Sequence, residues 1–576
     1  MIGELKQYLN KIIDVNVPLE VASDDKFGDY ATNVAFGLAK NQKKAPMILA
    51  QDLAFKIQET DVEKNFDKVE AVAPGFINFR VSGEYLVKNL GEVLGKKEIA
   101  SPPAGGLAMT KKRVHLEFIS ANPTGPLTMA NGRGGFLGDV LGNVLSSVGY
   151  EVTREYYVND AGVQVKRLGE SVLAALGLMP KLEEHYQGSY VEELAEKYKE
   201  EIIKKSKIKN QNEENITEEI GQLVAKDLLE KIKKSIQNVG INFDVWFSEN
   251  ENLRKKKMLD ETLRILKERG MVYEEAGAVW LKNQKSLKHE NTRTLKQEKD
   301  MLNDVHAMAG RENKDYVLVK SDGEPTYFLA DISYHYNKFV TREFDAGIDI
   351  WGADHHGYVE RLKNGLEAVG ISKEKLEIIL VQLVRLVRGG EEVKMSKRKG
   401  EFITLDELVG EVGVDAARFF FLMYSPNTHM DFDLDLAKER SSKNPVYYVQ
   451  YAFVRCYAIL QKAMPIGRQA QNEKRKMQNS TKITDYDFNT EDELRLLKQL
   501  VQLPDIVLQT AEDYQVNRLT RYATDLARAF HNFYEKERAI TDNVKETEMR
   551  LALVEATKTI FEKLFKILGI SAPEKM

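Results

Sequence analysis

Two stretches of this chain repeat one pattern, and that pattern constrains the fold more than any other feature. RVHLEFIS, Arg113 to Ser120, is short, alternating and partly β-branched. ANPTGPL follows, where two prolines and a glycine forbid a helix. GRGGFLGDVLGNVLSSVGY then carries apolar residues at helical spacing. GIDIWGADHHGYVERLKNGLEAVG later runs again through strand, loop and helix. Such units start parallel sheets, which bind ligands in the loops at the carboxyl ends of their strands. The expected fold class is therefore α/β with a parallel, Rossmann-like sheet at the centre.

At 576 residues the chain exceeds what one hydrophobic core organises, so three domains are expected. Residues 1–105 look like a compact α/β unit, with a helical start, the segment FGDYATNVAFGLAK and a strand-like run after Ala73 to Phe76. SPPAGG, Ser101 to Gly106, breaks every regular pattern and marks a linker. Residues 106–440 hold the parallel-sheet pattern, with a stretch of about 165–270 that reads as a helical insertion. Within this part GAVWLK and DYVLVK read as strands, LEIILVQLVRLVRGG as an apolar strand with a tight turn, and Asn283 to Asn313 as a flexible surface insertion. Residues 441–576 read as helical almost throughout, interrupted by the polar stretch Gly467 to Asn489.

Composition excludes several classes. A hydrophobic fraction of 43% with 30% charged residues is not that of a collagen-like, disulfide-scaffold or wholly disordered chain. One cysteine, Cys456, can neither close an intrachain disulfide nor build a cysteine zinc cluster; it fits a reducing cytoplasm and reads as a small buried hydrophobe. The amino-terminal residues lack the apolar core of a signal peptide, and no stretch approaches the ~20 apolar residues of a membrane span. No export, membrane insertion or indiscriminate DNA binding is expected at a net charge of −5. The last 136 residues carry 21 Lys and Arg against 18 Asp and Glu, a balance of +3 against −8 for the rest, so any nucleic-acid face points to the tail.

Val393-Lys394-Met395-Ser396-Lys397-Arg398-Lys399-Gly400 places four cations beside a hydroxyl and a glycine. Taken alone it is a solvated basic turn or a loop that neutralises charge on a polyphosphate leaving group. KMSKR resembles the KMSKS signature of class I aminoacyl-tRNA synthetases, and it follows the last strands of the sheet pattern as in that family. Glu117 to Pro126 with the GRGG and GDVL that follow, YEVTREYYVNDAG, YQGSY, KSDGEPTYFLADISYH, WGADHHGYVER and NPVYYVQYA together resemble the arginyl-tRNA synthetases. FGDYATNVA resembles that family's added amino-terminal domain, and DLARAFHNFYEKERAI its helical anticodon-binding (DALR-type) domain. The resemblance spans nearly the whole chain.

One departure stands out. Where the family's HIGH tetrapeptide is expected, this chain has Thr128, Met129, Ala130 and Asn131, followed by Gly132. The family's histidines hydrogen-bond ATP phosphates, helped by the start of the following helix. Threonine and asparagine can donate hydrogen bonds but cannot carry positive charge. Lys394, Ser396 and Lys397 of the second signature are all present.

The resemblance implies an enzyme that activates L-arginine with ATP and esterifies tRNA(Arg), with Mg²⁺ on the phosphates and no tightly bound protein-ligated metal. It implies Thr128, Asn131, Lys394, Ser396 and Lys397 as catalytic residues, and Thr128, Asn131, Gly132, Gly352, Asp354, His355, Lys394 and Met395 around ATP. It implies Glu117, Asn122, Tyr327 and Asp331 around arginine. Arginine's guanidinium is a permanently charged fork of five donors, so its pocket needs carboxylates in matched positions. Tyr327 and Asp331, four apart, share a face if their segment is helical. Asp354, His355 and His356 lack the further ligands of a zinc site and are placed beside the adenosine or the amino acid. Tyr447, Tyr448, Tyr451, Tyr457, Phe530, Phe533 and Tyr534 are candidates for stacking on the anticodon loop, most being expected in the core, and Phe27, Asn33 and Phe76 for the outer corner of the tRNA. A cytoplasmic monomer is expected. The rival reading is a non-catalytic tRNA-binding paralogue that has lost its histidines.

Overall fold

The computed structural model describes residues 2–22, 25–60, 64–95, 112–206, 213–282, 315–393, 403–463, 483 and 486–576. The basic loop from Lys394 to Gly400, all of the polar insertion from Asn283 to Asn313 and most of Gly467 to Asn489 lie outside these residues. The chain forms two compact units: one of residues 109–142 and 150–435, the other of residues 1–108, 143–149 and 436–576.

The first unit is built on a five-stranded sheet of β1 (Arg113–Glu117), β2 (Glu151–Val158), β3 (Val245–Ser248), β4 (Ala346–Gly352) and β5 (Leu376–Val381). Their order is β5-β4-β1-β2-β3, and every pairing is parallel. The chain leaves β1 toward β2 on one side and returns to β4 on the other, so the strand order reverses between β1 and β4. In open α/β sheets that reversal opens a crevice at the carboxyl ends of the strands. Helix α1 (Met129–Ser147) crosses from β1 to β2, α2 (Tyr327–Tyr336) precedes β4, and α3 (His356–Ala368) links β4 to β5. Gly138 lets α1 lie against the sheet: a Cβ there would sit 2.3 Å from Phe118 Cγ. Phe328, Leu329 and Ile332 of α2 pack with Leu362 and Leu366 of α3 in one buried cluster.

Two parts of the sequence reading change. Val245–Ser248 is the edge strand β3, followed by a π-helical turn, Asn250–Arg254, inside the stretch that reads as helical. Four residues are too few for periodicity to separate strand from helix, and pairing with β2 decides it. LEIILVQLVRLVRGG is two strands, because the second, Val384–Arg388, leaves β5 and pairs with Met430–Asp433 in a different sheet. Its carbonyl groups at the break, those of Gln382 and Leu383, accept from the buried Arg133 guanidinium at 2.8 and 3.5 Å. GAVWLK and DYVLVK supply the paired strands Ala278–Leu281 and Tyr316–Val319.

The second unit joins a four-stranded antiparallel sheet, Leu19–Val21, Tyr30–Thr32, Phe66–Val72 and Phe76–Val81, to helices Pro445–Ala463, Glu491–Asp513, Asn517–Lys536 and Val544–Leu568. Thr490 and Glu493 close the start of Glu491–Asp513 as a reciprocal capping box, which satisfies two otherwise orphaned backbone donors. Lys498 meets Asp29 at 2.9 Å and the Tyr30 hydroxyl donates to Asp505 at 3.2 Å, tying the sheet to that helix.

Candidate active site

At the reversal point lies a cavity of about 310 Å³, lined by the ends of β1, β2 and β4 and by α2 and α3. The chain leaves β1 in an uncommon conformation: Ile119 and Ser120 both have positive φ, 65° and 38°. Backbone strain in non-glycine residues persists where surroundings fix it, often at functional sites. Here the fixing contacts are the Tyr157 amide donating to Ser120 Oγ at 3.0 Å and the Tyr156 hydroxyl donating to the Ala121 carbonyl at 2.7 Å. Beyond the bend, Asn122 Nδ2 donates to Gln164 Oε1 at 2.6 Å.

The floor of the cavity is charged. Lys338 is fully buried and donates to Glu117 Oε2 at 2.7 Å and to Asp349 Oδ1 at 2.9 Å. Its ammonium also sits 4.1 Å from the Tyr334 ring centre, a cation–π contact that uses its remaining side. His335 places Nε2 2.8 Å from Asp349 Oδ2 and Nδ1 2.8 Å from the Asp331 carbonyl oxygen. Behind this layer Glu155 accepts from Tyr334 at 2.6 Å and from Arg342. Burial raises Glu117, with Lys338 opposing; burial would also raise Asp349, but Lys338 and then His335 outweigh it and hold that carboxylate below its ordinary range.

Asp331 hangs from α2 over the same cavity, where the Tyr358 hydroxyl donates to Oδ2. Burial pushes its carboxyl up to about 6, and the Tyr358 hydrogen bond opposes that rise. Glu117 and Asp331 thus each give one oxygen to the wall that holds it in place, and both line the cavity. Such an arrangement can receive a cationic, multiply donating group.

The structure brings together Glu117, Asn122, Asp331, Gly352 and His355 of the residues singled out from sequence. Tyr327 does share α2 with Asp331 but stands half-exposed and does not line this cavity; Tyr358 is the aromatic neighbour of Asp331. Asp354 is exposed, with its carboxylate 3.8 Å from His355 Nε2. Thr128, Asn131 and Gly132 lie at the head of α1. There the Thr128 amide and hydroxyl both donate to Asn131 Oδ1 at 2.9 Å. The Met129 amide donates to the Ile403 carbonyl and the Leu405 amide to the Leu127 carbonyl, at 3.1 and 2.9 Å. The head of α1 is thereby stitched to the residues that follow the basic loop. Lys394, Met395, Ser396 and Lys397 lie outside the described residues. In the second unit Phe530 and Phe533 are core side chains, while Tyr451 and Tyr534 flank Arg455, whose guanidinium is 5.1 and 5.0 Å from their ring centres. Phe27 and Phe76 are each 39% exposed and Asn33 is exposed.

Sequence reasoning missed Lys338, His335, Asp349, Tyr358 and Gln164. A signal existed for two of them: Asp331, His335 and Lys338 fall at i, i+4 and i+7, one face of a helix in an otherwise apolar run.

A parallel sheet with this crevice, a strained turn after the first strand and a helix head tied to a later loop define the catalytic domain of a class I aminoacyl-tRNA synthetase. Residues 104–421 match the family model described as tRNA synthetases class I (R), catalytic domain. Residues 1–81 match an arginyl tRNA synthetase N terminal domain, and residues 449–576 a DALR anticodon binding domain. The chain is 41% identical to an arginine–tRNA ligase of Carboxydothermus hydrogenoformans, across 99% of this chain and 96% of that one. It is 39% identical to the Bacillus subtilis arginine–tRNA ligase, across 97% and 94%. Thermus thermophilus arginyl-tRNA synthetase shares the fold, with a TM-score of 0.74 at 20% identity over 100% of this chain and 99% of that one. The chain belongs to the arginyl-tRNA synthetase family.

Proposed function

We propose that the chain joins L-arginine to ATP as arginyl-adenylate, releasing pyrophosphate, and then passes the arginyl group to the terminal adenosine of tRNA(Arg). The observation that carries the pocket assignment is the pair Glu117, buried, and Asp331, partly buried, two carboxylates lining one cavity from β1 and α2. A guanidinium meets such oxygens with its fixed fork, whereas a neutral substrate would bring no charge to balance them. Lysine offers a single ammonium to the same oxygens, and the donors it fails to supply are the basis for rejecting it without an editing site.

In this reading Asn122 contacts the α-amino and carboxylate groups, holding the carboxylate against the α-phosphate. Gly352 and His355 border the adenosine, and Asp354 stands beside them. The head of α1 with Thr128, Asn131 and Gly132 faces the triphosphate, where neutral donors and the helix terminus stand in for charge. Lys394 and Lys397, with Met395 and Ser396 in the same loop, stabilise the departing pyrophosphate. Tyr327, at the start of α2, is assigned to the rim of the arginine site. Positioning and electrostatics supply nearly all of the catalysis. Among the described residues no group of three or more His, Cys, Asp and Glu gathers to hold a metal ion. Mg²⁺ is assigned to the nucleotide, whose phosphate oxygens would hold it.

The second unit is assigned to tRNA: Tyr451, Arg455 and Tyr534 offer a stacking surface for unpaired bases, and Phe27, Asn33 and Phe76 an exposed patch for the outer corner. A cytoplasmic monomer completes the reading, the single buried cysteine fitting a reducing compartment. Arginine-dependent exchange of pyrophosphate into ATP, with and without tRNA(Arg), tests the function, with lysine and citrulline as controls. Exchange that needs both arginine and tRNA supports it. Silence from folded, tRNA-binding protein would instead identify a non-catalytic paralogue.

A further inference from the structure

We infer that Lys338 is a positioning and specificity-determining residue of the arginine site: it holds the Glu117 carboxylate aimed into the cavity and keeps it ionised beside Asp349. The inference rests on the reading that Glu117 receives the guanidinium.

Three observations carry it. Lys338 is wholly buried and touches no solvent, so its charge serves only its neighbours. Its contacts are three and fixed: Glu117 Oε2 at 2.7 Å, Asp349 Oδ1 at 2.9 Å and the face of Tyr334 at 4.1 Å. An ammonium has three donors, and these contacts account for all of them. It also stands in the π-helical turn Asn337–Thr341 that ends α2, and such insertions recur at functional sites because they turn a side chain out of the regular helical register.

The charges explain the need. Glu117 and Asp349 pair in register on adjacent parallel strands, β1 and β4, and both end at the cavity. Two buried carboxylates with no cation between them do not both stay ionised. Lys338 bridges one oxygen of each. The second Asp349 oxygen is taken by His335, while Glu117, held through Oε2, also lines the cavity. The titratable groups facing Glu117 are Asp331, Tyr334, His335 and Lys338 from α2 and its turn, Asp349 from β4 and Tyr157 from β2. Lys338 is the cation among them that bonds Glu117 directly.

The test uses the full chain with tRNA(Arg) and reads the arginine KM in pyrophosphate exchange between pH 6.5 and 9. Lys338→Met is expected to raise that KM roughly a hundredfold at pH 7, because one partner of a buried, hydrogen-bonded ion pair is gone. The ATP KM should stay within a few-fold of the parent. The ratio of variant to parent KM should fall as pH rises, since Glu117 then ionises late; taking the ratio cancels titration of the substrate's own amino group. A merely structural lesion would give a ratio independent of pH. If Lys338→Met does not fold, Lys338→Met with Asp349→Asn removes a cation and an anion together, and its arginine KM should still exceed the parent's severalfold. Glu117→Gln separates the two levels of the argument. A Glu117→Gln enzyme with parental arginine KM overturns the pocket reading itself. A raised KM in Glu117→Gln beside a parental or pH-independent ratio in the Lys338 variants overturns the role of Lys338 alone.

Discussion

The cavity floor, assembled from β1, β4 and α2 with its terminal turn, and the head of α1 treat charge in opposite ways. At the floor, Lys338, His335, Glu117 and Asp349 are buried titratable groups locked to one another. At the head of α1, Thr128 and Asn131 are neutral, partly exposed and satisfied by each other. A guanidinium brings no counter-ion into a dry pocket, so the protein must supply fixed anions and the cation that keeps them in place. A triphosphate arrives with Mg²⁺ and stays near water, so neutral donors and a helix terminus can meet it. On the proposed reading, replacing the family's histidines at the head of α1 is expected to cost less than removing a carboxylate from the arginine cavity.

Four expected outcomes press on this contrast. Asp331→Asn should raise the arginine KM by about two to three orders of magnitude, with a much smaller change in the ATP KM, because it removes a buried charge partner. An unaltered arginine KM would put the guanidinium elsewhere. Lys397→Ala should slow pyrophosphate exchange on the order of a hundredfold at saturating substrates while leaving tRNA affinity intact; full turnover would remove Lys397 from the chemistry. The pH profile should report Asp331. Asp331 has its carboxyl raised to about 6 by burial, so it gains a proton as pH falls through that value and ceases to attract the guanidinium. At pH 5 kcat/KM for arginine should therefore be about tenfold below its plateau, and Asp331→Asn should lose that limb. Thr128→Ala should have the smallest effect, roughly two- to tenfold on exchange with the arginine KM unchanged, because one neutral hydrogen bond is lost. A hundredfold loss would show that the head of α1 is as demanding as the floor.

Stability links to the same group with a definite sign. Because the folded-state carboxyl of Asp331 is raised above its ordinary value of 3.8, its contribution to stability is full at low pH and is lost as pH rises through about 6. On the proposed reading, the ionised Asp331 that receives arginine is thus held at some cost to the unliganded protein.

Much of this was legible before any coordinates. Alternation in RVHLEFIS and GIDIWG, proline and glycine in ANPTGPL and helical spacing after it are local properties, and they gave the strand, turn and helix on which Glu117, Asn122 and Gly352 stand. Asp331 was reachable through the resemblance, and its four-residue offset from Tyr327 put both on one helix, although that offset could not say that Tyr327 would stand half-exposed at the helix start. Strand β3 was not legible, because four residues carry no period and its identity comes from pairing with β2. The second half of LEIILVQLVRLVRGG was hidden in the same way, its separation from β5 resting on a partner strand far along the chain.

Sequence alone determined the parallel-sheet class, the helical carboxy-terminal region, the two signature motifs and the family. These are written in local periodicity, in turn chemistry and in short strings that need no partner. Only the tertiary structure decided which charges meet. Glu117 and Lys338 are separated by 221 positions and Glu155 and Arg342 by 187, and no local preference specifies such pairs. They form because the sheet order sets β4 beside β1 and the turn at the end of α2 delivers an ammonium between them, in a place dry enough that every charge must find its partner.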